Sequence, residues 1–191
     1  MIRLLQFPQE DCPAAIREQL ILLMRREWPQ AFEEMSEHIP WPENPETHPT
    51  SFILIENNIV ISHVAVPWKY IQHEGHTYKV FGLSEVMTNP SYRHQGFGLK
   101  LVKEATAFIE RNDPDIGMFT CQPALVSFYT QGGWEHIPNT NLIGGTREKP
   151  FRSDALGLAT MMRFFSQKAQ QNRSAFEKAD IYLELGERML W

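Results

Sequence analysis

The stretch best suited to chemistry combines an arginine with two glycines in the pattern Arg93-x-x-Gly96-x-Gly98. Two closely spaced glycines let main-chain N–H groups approach a ligand without obstruction by side chains. A helix predicted to open at Gly96 adds unpaired N–H groups and a partial positive charge, and Arg93 adds a full charge at the same end. Together these features predict a site for a phosphate or pyrophosphate.

An alternative interpretation is that Gly96 and Gly98 only shape a turn between a strand and a helix. A lone pair of glycines favours that alternative. The stretch is not a Walker loop, because no Gly-Lys-Ser/Thr comes after it. It is not a dinucleotide fingerprint either, because the third glycine is missing.

Alternation and helical spacing of apolar residues predict the elements that must position this loop. Strands are predicted over 1–7, 51–56, 59–70, 77–88, 116–121, 134–137 and 155–165, and helices over 14–28, 30–38, 96–111 and 124–129. Loops are predicted over 39–49 and 138–150, a polar helix over 167–178 and a weak strand over 181–185. The strands over 51–88 are predicted to form a consecutive antiparallel meander, with its first turn at Asn57-Asn58.

Length and composition are typical of one globular domain covering residues 1–191. The chain is 42% hydrophobic and carries a formal net charge of −5, which argues against a dedicated nucleic-acid binder. The two cysteines, Cys12 and Cys121, form no disulfide framework and no cluster with metal-binding spacing, so a cytoplasmic setting without a metal is expected. No signal peptide or membrane-spanning stretch is expected.

The loop, with Asn89-Pro90-x-Tyr92 before it, resembles the acetyl-CoA pyrophosphate loop of the GNAT superfamily of N-acetyltransferases. A second segment, Phe128-Tyr129-x-x-x-Gly133-Trp134, is similar to a later motif of that family. The two motifs stand in the family's order about thirty residues apart, with the expected helix and strand between them. The motif-bearing part covers roughly residues 80–137.

The resemblance implies an α+β fold of three layers, with a mixed, mostly antiparallel sheet, splayed central strands and helices on both faces. It implies acetyl-CoA as cosubstrate. The main chain of Val86, Met87 and Thr88 would hold the pantetheine arm, and Phe128 would lie near the thiol. The pyrophosphate would lie on Arg93, His94, Gln95, Gly96, Phe97, Gly98 and Leu99, although His94 also fits a merely exposed histidine.

The chemistry of acetyl transfer to an amine then suggests two catalytic residues. Glu85 is the candidate base, because simple alternation puts it on the apolar face of Phe81, Leu83 and Met87, where its pKa would rise. A β-bulge implied by the resemblance would change that facing, and a solvated or salt-bridged strand glutamate is the alternative. Tyr129 is the candidate acid for the departing thiolate, and a packed tyrosine with a satisfied hydroxyl is the alternative.

A closer resemblance is to the aminoglycoside 2′-N-acetyltransferases, on the order of Gly82, Glu85, Tyr129 and Asp154 and on a terminal tryptophan. It implies that Asp154 and Trp191 line the acceptor pocket, with Glu33, Glu34 or Glu37 adding charge. The loop over 139–152 departs from that group, since Arg147, Lys149 and Arg152 add positive charge. Packing as a loose tail is the alternative for Trp191.

The predicted function is therefore transfer of an acetyl group to a primary amine of a small cationic acceptor such as an aminoglycoside. The alternatives are acetylation of a peptide, protein or polyamine amine, and a non-catalytic acyl-CoA-binding module. No nucleic-acid or membrane partner is expected, and a homodimer is one arrangement that analogy with related enzymes allows.

Overall fold

The computed structural model describes residues 1–32 and 41–191 of the chain. Helices occupy Ala14–Glu27 (α1), Pro29–Phe32 (α2), Phe97–Glu110 (α3), Val126–Gln131 (α4) and Gln167–Gln171 (α5). Strands occupy Arg3–Pro8 (β1), Thr50–Glu56 (β2), Ile59–Val66 (β3), Trp68–His73 (β4), His76–Phe81 (β5), Ser84–Thr88 (β6), Ile116–Cys121 (β7), Glu135–His136 (β8), Asn141–Gly145 (β9), Pro150–Arg152 (β10), Ala159–Phe164 (β11) and Asp180–Tyr182 (β12).

The described residues fall into two compact units, and the boundary between them cuts α3. The first unit holds Met1–Pro67 and Ser84–Ala105, and the second holds Trp68–Leu83 and Thr106–Trp191. The loop with the glycines and Glu85 belong to the first unit. Tyr129 and Trp191 belong to the second.

The first unit is built on an antiparallel sheet in the order β1-β2-β3-β6. Strands β2 and β3 form the hairpin that Asn57-Asn58 predicts, since both residues have positive φ (50° and 63°) as a tight hairpin turn requires. Helix α1 confirms the predicted helix over 14–28. Its buried Leu20 and Met24 pack in one hydrophobic cluster with residues of the sheet, including Ile53 and Val60.

The second unit contains a five-stranded sheet in the order β4-β5-β7-β11-β8 and a three-stranded sheet in the order β10-β9-β12. The pairs β5–β7 and β9–β12 are parallel, whereas the other pairs of these two sheets are antiparallel. The fold class predicted from the sequence, α+β with mixed and mostly antiparallel pairing, is confirmed.

The predicted meander of three long strands is wrong, because two of these strands are each divided in the structure. The predicted strand over 59–70 breaks at Pro67, which has no N–H for a ladder bond. The predicted strand over 77–88 breaks at Gly82-Leu83. The indole of Trp191 packs on Gly82 so closely that a Cβ there would lie 2.6 Å from its Cε3. The halves consequently enter different sheets.

Smaller differences between the predicted and the observed elements lie mostly in the C-terminal half. The predicted loop over 138–150 contains β9, a strand with only two apolar side chains, which β10 and β12 stabilise by pairing on both sides. The strand predicted over 155–165 begins only at Ala159, after a 3-10 turn. The helix predicted over 124–129 begins as α4 at Val126, and Leu125 is 43% exposed instead of buried. The short helix predicted over 30–38 is described only to Phe32.

Candidate active site

Glu85 lies at a β-bulge in β6. Ala65 of β3 pairs with Ser84 and His63 pairs with Met87, so β6 carries one residue more than β3 between these points. Glu85 itself has φ +49°, a conformation that costs a residue with a Cβ about 1–2 kcal/mol. The bulge implied by the resemblance is thus present. The side chains of β6 therefore do not alternate simply between the two faces of the sheet at Glu85.

The carboxylate of Glu85 accepts hydrogen bonds from two distant parts of the chain. Gln9 Nε2 donates to Oε2 at 2.9 Å, and Trp41 Nε1 lies 3.1 Å from both Oε1 and Oε2. Both donors are buried, at 3% and 5% exposure, whereas the Glu85 side chain is 19% exposed. The carboxylate is therefore fixed in direction, with a small part of its surface open.

The electrostatic environment raises the pKa of Glu85 to about 7. Burial is the largest cause, and the nearby carboxylate of Glu43 adds to it, while the hydrogen bonds from Trp41 and Gln9 oppose it. A carboxyl group with a pKa near neutrality can both take up and release a proton under physiological conditions. This is the property that a general base requires.

The glycine loop precedes α3 as predicted from the sequence. Gly96 has φ +80°, which favours glycine, and a Cβ built on it would meet nothing within 4 Å. Lys100 N–H donates to the carbonyl of Gly96 at 3.0 Å and so begins the helix. The amides of Phe97, Gly98 and Leu99 belong to the first turn of α3, where N–H groups have no partner within the helix. The loop thus exposes main chain at a helix N-terminus.

Arg93, predicted to supply the positive charge of the loop, is held at two points. Its Nε donates to the carbonyl of Thr88 at 3.1 Å, and its guanidinium forms an ion pair with Glu27 at the end of α1. His94 is exposed, as the simpler interpretation of this residue predicted. Arg93 therefore lies beside the loop, and its positive charge is paired with the carboxylate of Glu27.

Strand β6 is an edge strand of its sheet, which leaves one side of its main chain unpaired by that sheet. Asn89 N–H donates to Ile61 at 2.8 Å, and Met87 is paired with His63. Because neighbouring residues of an antiparallel strand alternate in direction, the main chain of Thr88 faces the open edge. Since the carbonyl of Thr88 already accepts from Arg93 Nε, the N–H of Thr88 is the group there that suits a carbonyl of an extended ligand.

Tyr129, the candidate acid, is 5% exposed on α4. Its ring stands edge-on to those of Phe119 and Phe128, with centroids 4.7 and 5.0 Å away. No hydrogen bond joins its hydroxyl to another described residue, and both the catalytic and the packing interpretation of Tyr129 stay predictions. Burial, with a smaller contribution from Cys121, raises the pKa of the phenol.

Trp191 is packed, at 8% exposure, and the alternative of a loose tail residue is wrong. Its indole covers Gly82, and its main-chain oxygen accepts hydrogen bonds from Thr120 N–H at 2.8 Å and from Thr120 Oγ1 at 2.5 Å. Thr120 was not among the residues singled out from the sequence, and its position in a buried strand gives no signal for this contact.

The other predicted acidic residues are less informative. Asp154 lies at a surface depression of about 300 Å³ and pairs with Arg152, whose hydrogen bond lowers the pKa of Asp154. Glu33, Glu34 and Glu37 lie outside the described residues. Within residues 1–32 and 41–191, no group of three or more His, Cys, Asp or Glu side chains could hold a metal ion. No helix in the described ranges is long and apolar enough to cross a membrane.

No curated protein matches the chain. A crystal structure of a probable N-acyltransferase from Enterococcus faecalis superposes with a TM-score of 0.56 and 19% identity over 72% of this chain. This chain spans only 33% of the length of that protein.

Two further structures are matched along 99% of their length. An acyl-CoA N-acyltransferase from Pseudomonas aeruginosa superposes with a TM-score of 0.57 and 15% identity over 85% of this chain and 99% of its own. A chain of the NatC complex, solved with Gag peptide and CoA, superposes with a TM-score of 0.55 and 15% sequence identity. The match covers 86% of this chain and 99% of the NatC chain. At 15% sequence identity, these two matches show a shared fold only. The sequence model described as the acetyltransferase (GNAT) domain matches residues 16–137, more than half of the chain, and the chain therefore belongs to the GNAT acetyltransferase family.

Proposed function

We propose that this protein transfers the acetyl group of acetyl-CoA to a primary amine of a small cationic acceptor, with Glu85 as general base and Tyr129 as general acid. The observation that carries the proposal is the carboxylate of Glu85, held at a bulge by Gln9 and Trp41 with a pKa of about 7. Family membership supports the reaction class, and the NatC relative, solved with CoA, supports the cosubstrate.

The residues of the loop fit the diphosphate of that cosubstrate. Main-chain N–H groups at the start of α3 suit a phosphate oxygen, and the space around Gly96 lets such a group approach the main chain. The unpaired edge of β6 at Thr88 suits the amides of a pantetheine arm. When bound, acetyl-CoA supplies an acetyl thioester and a thiolate leaving group.

The two side chains then serve opposite proton transfers. An alkyl ammonium must lose a proton before its nitrogen can attack the acetyl carbon, and the carboxylate of Glu85 accepts that proton directly or through water. As the new C–N bond forms and the C–S bond breaks, the phenol of Tyr129 gives its proton to the departing sulfur. The nitrogen loses its second proton to solvent, and the phenolate of Tyr129 takes up a proton from solvent. The raised pKa of Tyr129 keeps the phenol protonated until that step.

The acceptor is proposed to carry several amines, and aminoglycosides are one such class. The carboxylates of Glu85 and Glu43 are close enough to influence each other, and they favour a positively charged acceptor. Thiol release with acetyl-CoA and a panel of aminoglycosides, polyamines and short peptides tests this, with mass spectrometry of the products. If CoA binds but no amine releases thiol, the protein is an acyl-CoA-binding module and the proposal fails.

Tyr129→Phe is expected to lower kcat about 10²-fold, because the departing thiolate loses its proton donor while the ring contacts with Phe119 and Phe128 remain. Stopped-flow thiol release at saturating substrates measures this. Tyr78→Phe is the matched control, since Tyr78 is a buried phenol of the same unit that is not assigned a role. An equal loss in both variants would refute the role of Tyr129.

Glu27→Gln is expected to tighten CoA binding up to about fivefold at low salt, since an exposed ion pair contributes about 0–1 kcal/mol and its loss frees Arg93 for the diphosphate. Titration calorimetry measures the Kd for CoA. Glu110→Gln is the control, because it breaks the Glu110–Arg163 pair with the same change in net charge. An equal gain in both variants would assign the effect to net charge alone.

Residues 1–191 are proposed to act as one acetyltransferase domain, with the amine as a small-molecule partner. The predicted homodimer, the absence of nucleic-acid and membrane partners and the cytoplasmic setting stay predictions. Sedimentation equilibrium with and without CoA decides the oligomeric state.

A further inference from the structure

A buried pair of hydrogen bonds leads from β2 through β3 to the main chain of Glu85. Ser51 Oγ lies 2.9 Å from His63 Nε2, and His63 Nδ1 lies 3.1 Å from the carbonyl oxygen of Glu85. Both Ser51 and His63 are fully buried, with 0% exposure. The pair therefore ends on the strained residue of the bulge.

The chemistry of these partners fixes the tautomer of His63. A carbonyl oxygen only accepts, so Nδ1 carries the proton and donates to Glu85. Burial lowers the pKa of His63 to about 4, so the ring is neutral near pH 7 and its Nε2 is an acceptor. Ser51 therefore donates its hydroxyl proton to Nε2, and this bond holds the Nδ1–H tautomer in place.

The contact of His63 is with the main chain of Glu85 and not with its carboxylate. Nδ1 lies 3.7 Å from Oε2, beyond a normal hydrogen bond, against 3.1 Å from the carbonyl oxygen. The imidazole also faces the indole of Trp41, with ring centroids 6.2 Å apart. One buried ring thus binds the main chain of Glu85 and lies near the side chain that donates to its carboxylate.

We propose that His63, held by Ser51, is a positioning residue that keeps Glu85 in the bulge and so aims its carboxylate at Gln9, Trp41 and the substrate. The inference rests on the proposed role of Glu85 as base. Within residues 1–32 and 41–191, the groups near this carboxylate are the donors Gln9 and Trp41, the neutral ring of His63, and the titratable groups of Glu43 and Cys12. His63 determines the direction of the carboxylate among them without contacting substrate.

Two replacements of His63 separate a positioning role from a packing role. His63→Leu removes the donor, whereas His63→Asn keeps a side-chain N–H near the place of Nδ1. We expect His63→Leu to lower kcat about 10- to 100-fold, with the Kd for CoA unchanged and the acidic limb of the pH–rate profile displaced, because a small misplacement of a catalytic group is costly. His63→Asn is expected to restore most of kcat and the wild-type limb.

His73→Leu is the matched control for loss of a buried histidine. His73 is 8% exposed, and its Nε2 contacts the carbonyl of Ala175 at 2.8 Å in the second unit. We expect it to lower the melting temperature without moving the pH profile. If His63→Leu leaves the profile unmoved, or if His63→Asn loses as much activity as His63→Leu, the positioning role is refuted.

A measurement on the unmodified protein covers the case in which His63→Leu does not fold. NMR of protein with ¹⁵N-labelled histidine should show His63 neutral and protonated at Nδ1 throughout the pH range of activity, and a proton on Nε2 would overturn the proposal. Carboxyl ¹³C NMR of Glu85 reports its pKa in wild type and in His63→Asn. These signals require no acetyl transfer, so an inactive wild type refutes the proposed function and leaves the positioning role to be decided by NMR.

Discussion

Glu85→Gln is expected to lower kcat/KM for the amine about 10²- to 10⁴-fold, the range that general base catalysis contributes. The amide is nearly the same size as the carboxylate and can still accept hydrogen bonds from Trp41 and Gln9, so the bulge should persist. The Kd for CoA should not change, because the loop at Gly96 is intact. Pre-steady-state thiol release and calorimetry measure the two quantities separately.

The pKa of Glu85 also determines the direction in which kcat/KM should change with pH. The base acts when deprotonated, and the pKa of Glu85 is about 7, so wild-type kcat/KM should rise with pH up to about that value and then level off. Glu85→Gln should abolish this rise. An activity that keeps the same acidic limb after the substitution would show that another group is the base.

Glu43→Gln is the matched control for the loss of a carboxylate beside the site. The charge of Glu43 raises the pKa of Glu85, so its removal should move the acidic limb to lower pH while the plateau rate stays close to wild type. Glu85→Gln and Glu43→Gln remove the same charge, but only Glu85→Gln should lower the plateau rate. Equal losses of plateau rate would mean that acidic character, and not proton transfer at Glu85, determines the rate.

Local patterns predicted the parts of the site that are local in the chain. The spacing of apolar residues located α3 almost to the residue, and Arg93-x-x-Gly96 placed the open main chain at its beginning. These features depend on residues only a few positions apart, which is why one sequence sufficed. The break at Pro67 was also visible in principle, since proline rarely continues a central strand.

The surroundings of Glu85 could not be predicted in this way. Its carboxylate is bound by Gln9 and Trp41, which are 76 and 44 residues distant in the chain, and neither belongs to a motif. Strand alternation does not run from Phe81 to Glu85, because the strand divides at Gly82-Leu83 and β6 carries an extra residue at the bulge. The indole of Trp191 packs on Gly82 at the break between β5 and β6, a contact that no local pattern contains.

Gly96→Ala is expected to weaken CoA binding about 10- to 100-fold, which corresponds to loss of one hydrogen bond to a charged group. The methyl group would enter the open space beside the main chain, where the diphosphate is proposed to approach. It would also raise the energy of the loop, because φ is +80°. Calorimetry with CoA measures the binding, and chemical denaturation measures the free energy of unfolding.

Gly75→Ala separates these two effects. Gly75 lies in the turn between β4 and β5 with φ +76°, and a Cβ there also meets nothing within 4 Å, so the backbone strain is matched. Both variants should lose about 1–2 kcal/mol of stability. Only Gly96→Ala should lose affinity for CoA. The two glycines are matched in φ and in open space, but a helix N-terminus comes directly after Gly96 only. A weaker Kd in Gly96→Ala alone would therefore assign CoA binding to the main chain at that helix N-terminus. Equal Kd values in the two variants would place the diphosphate elsewhere.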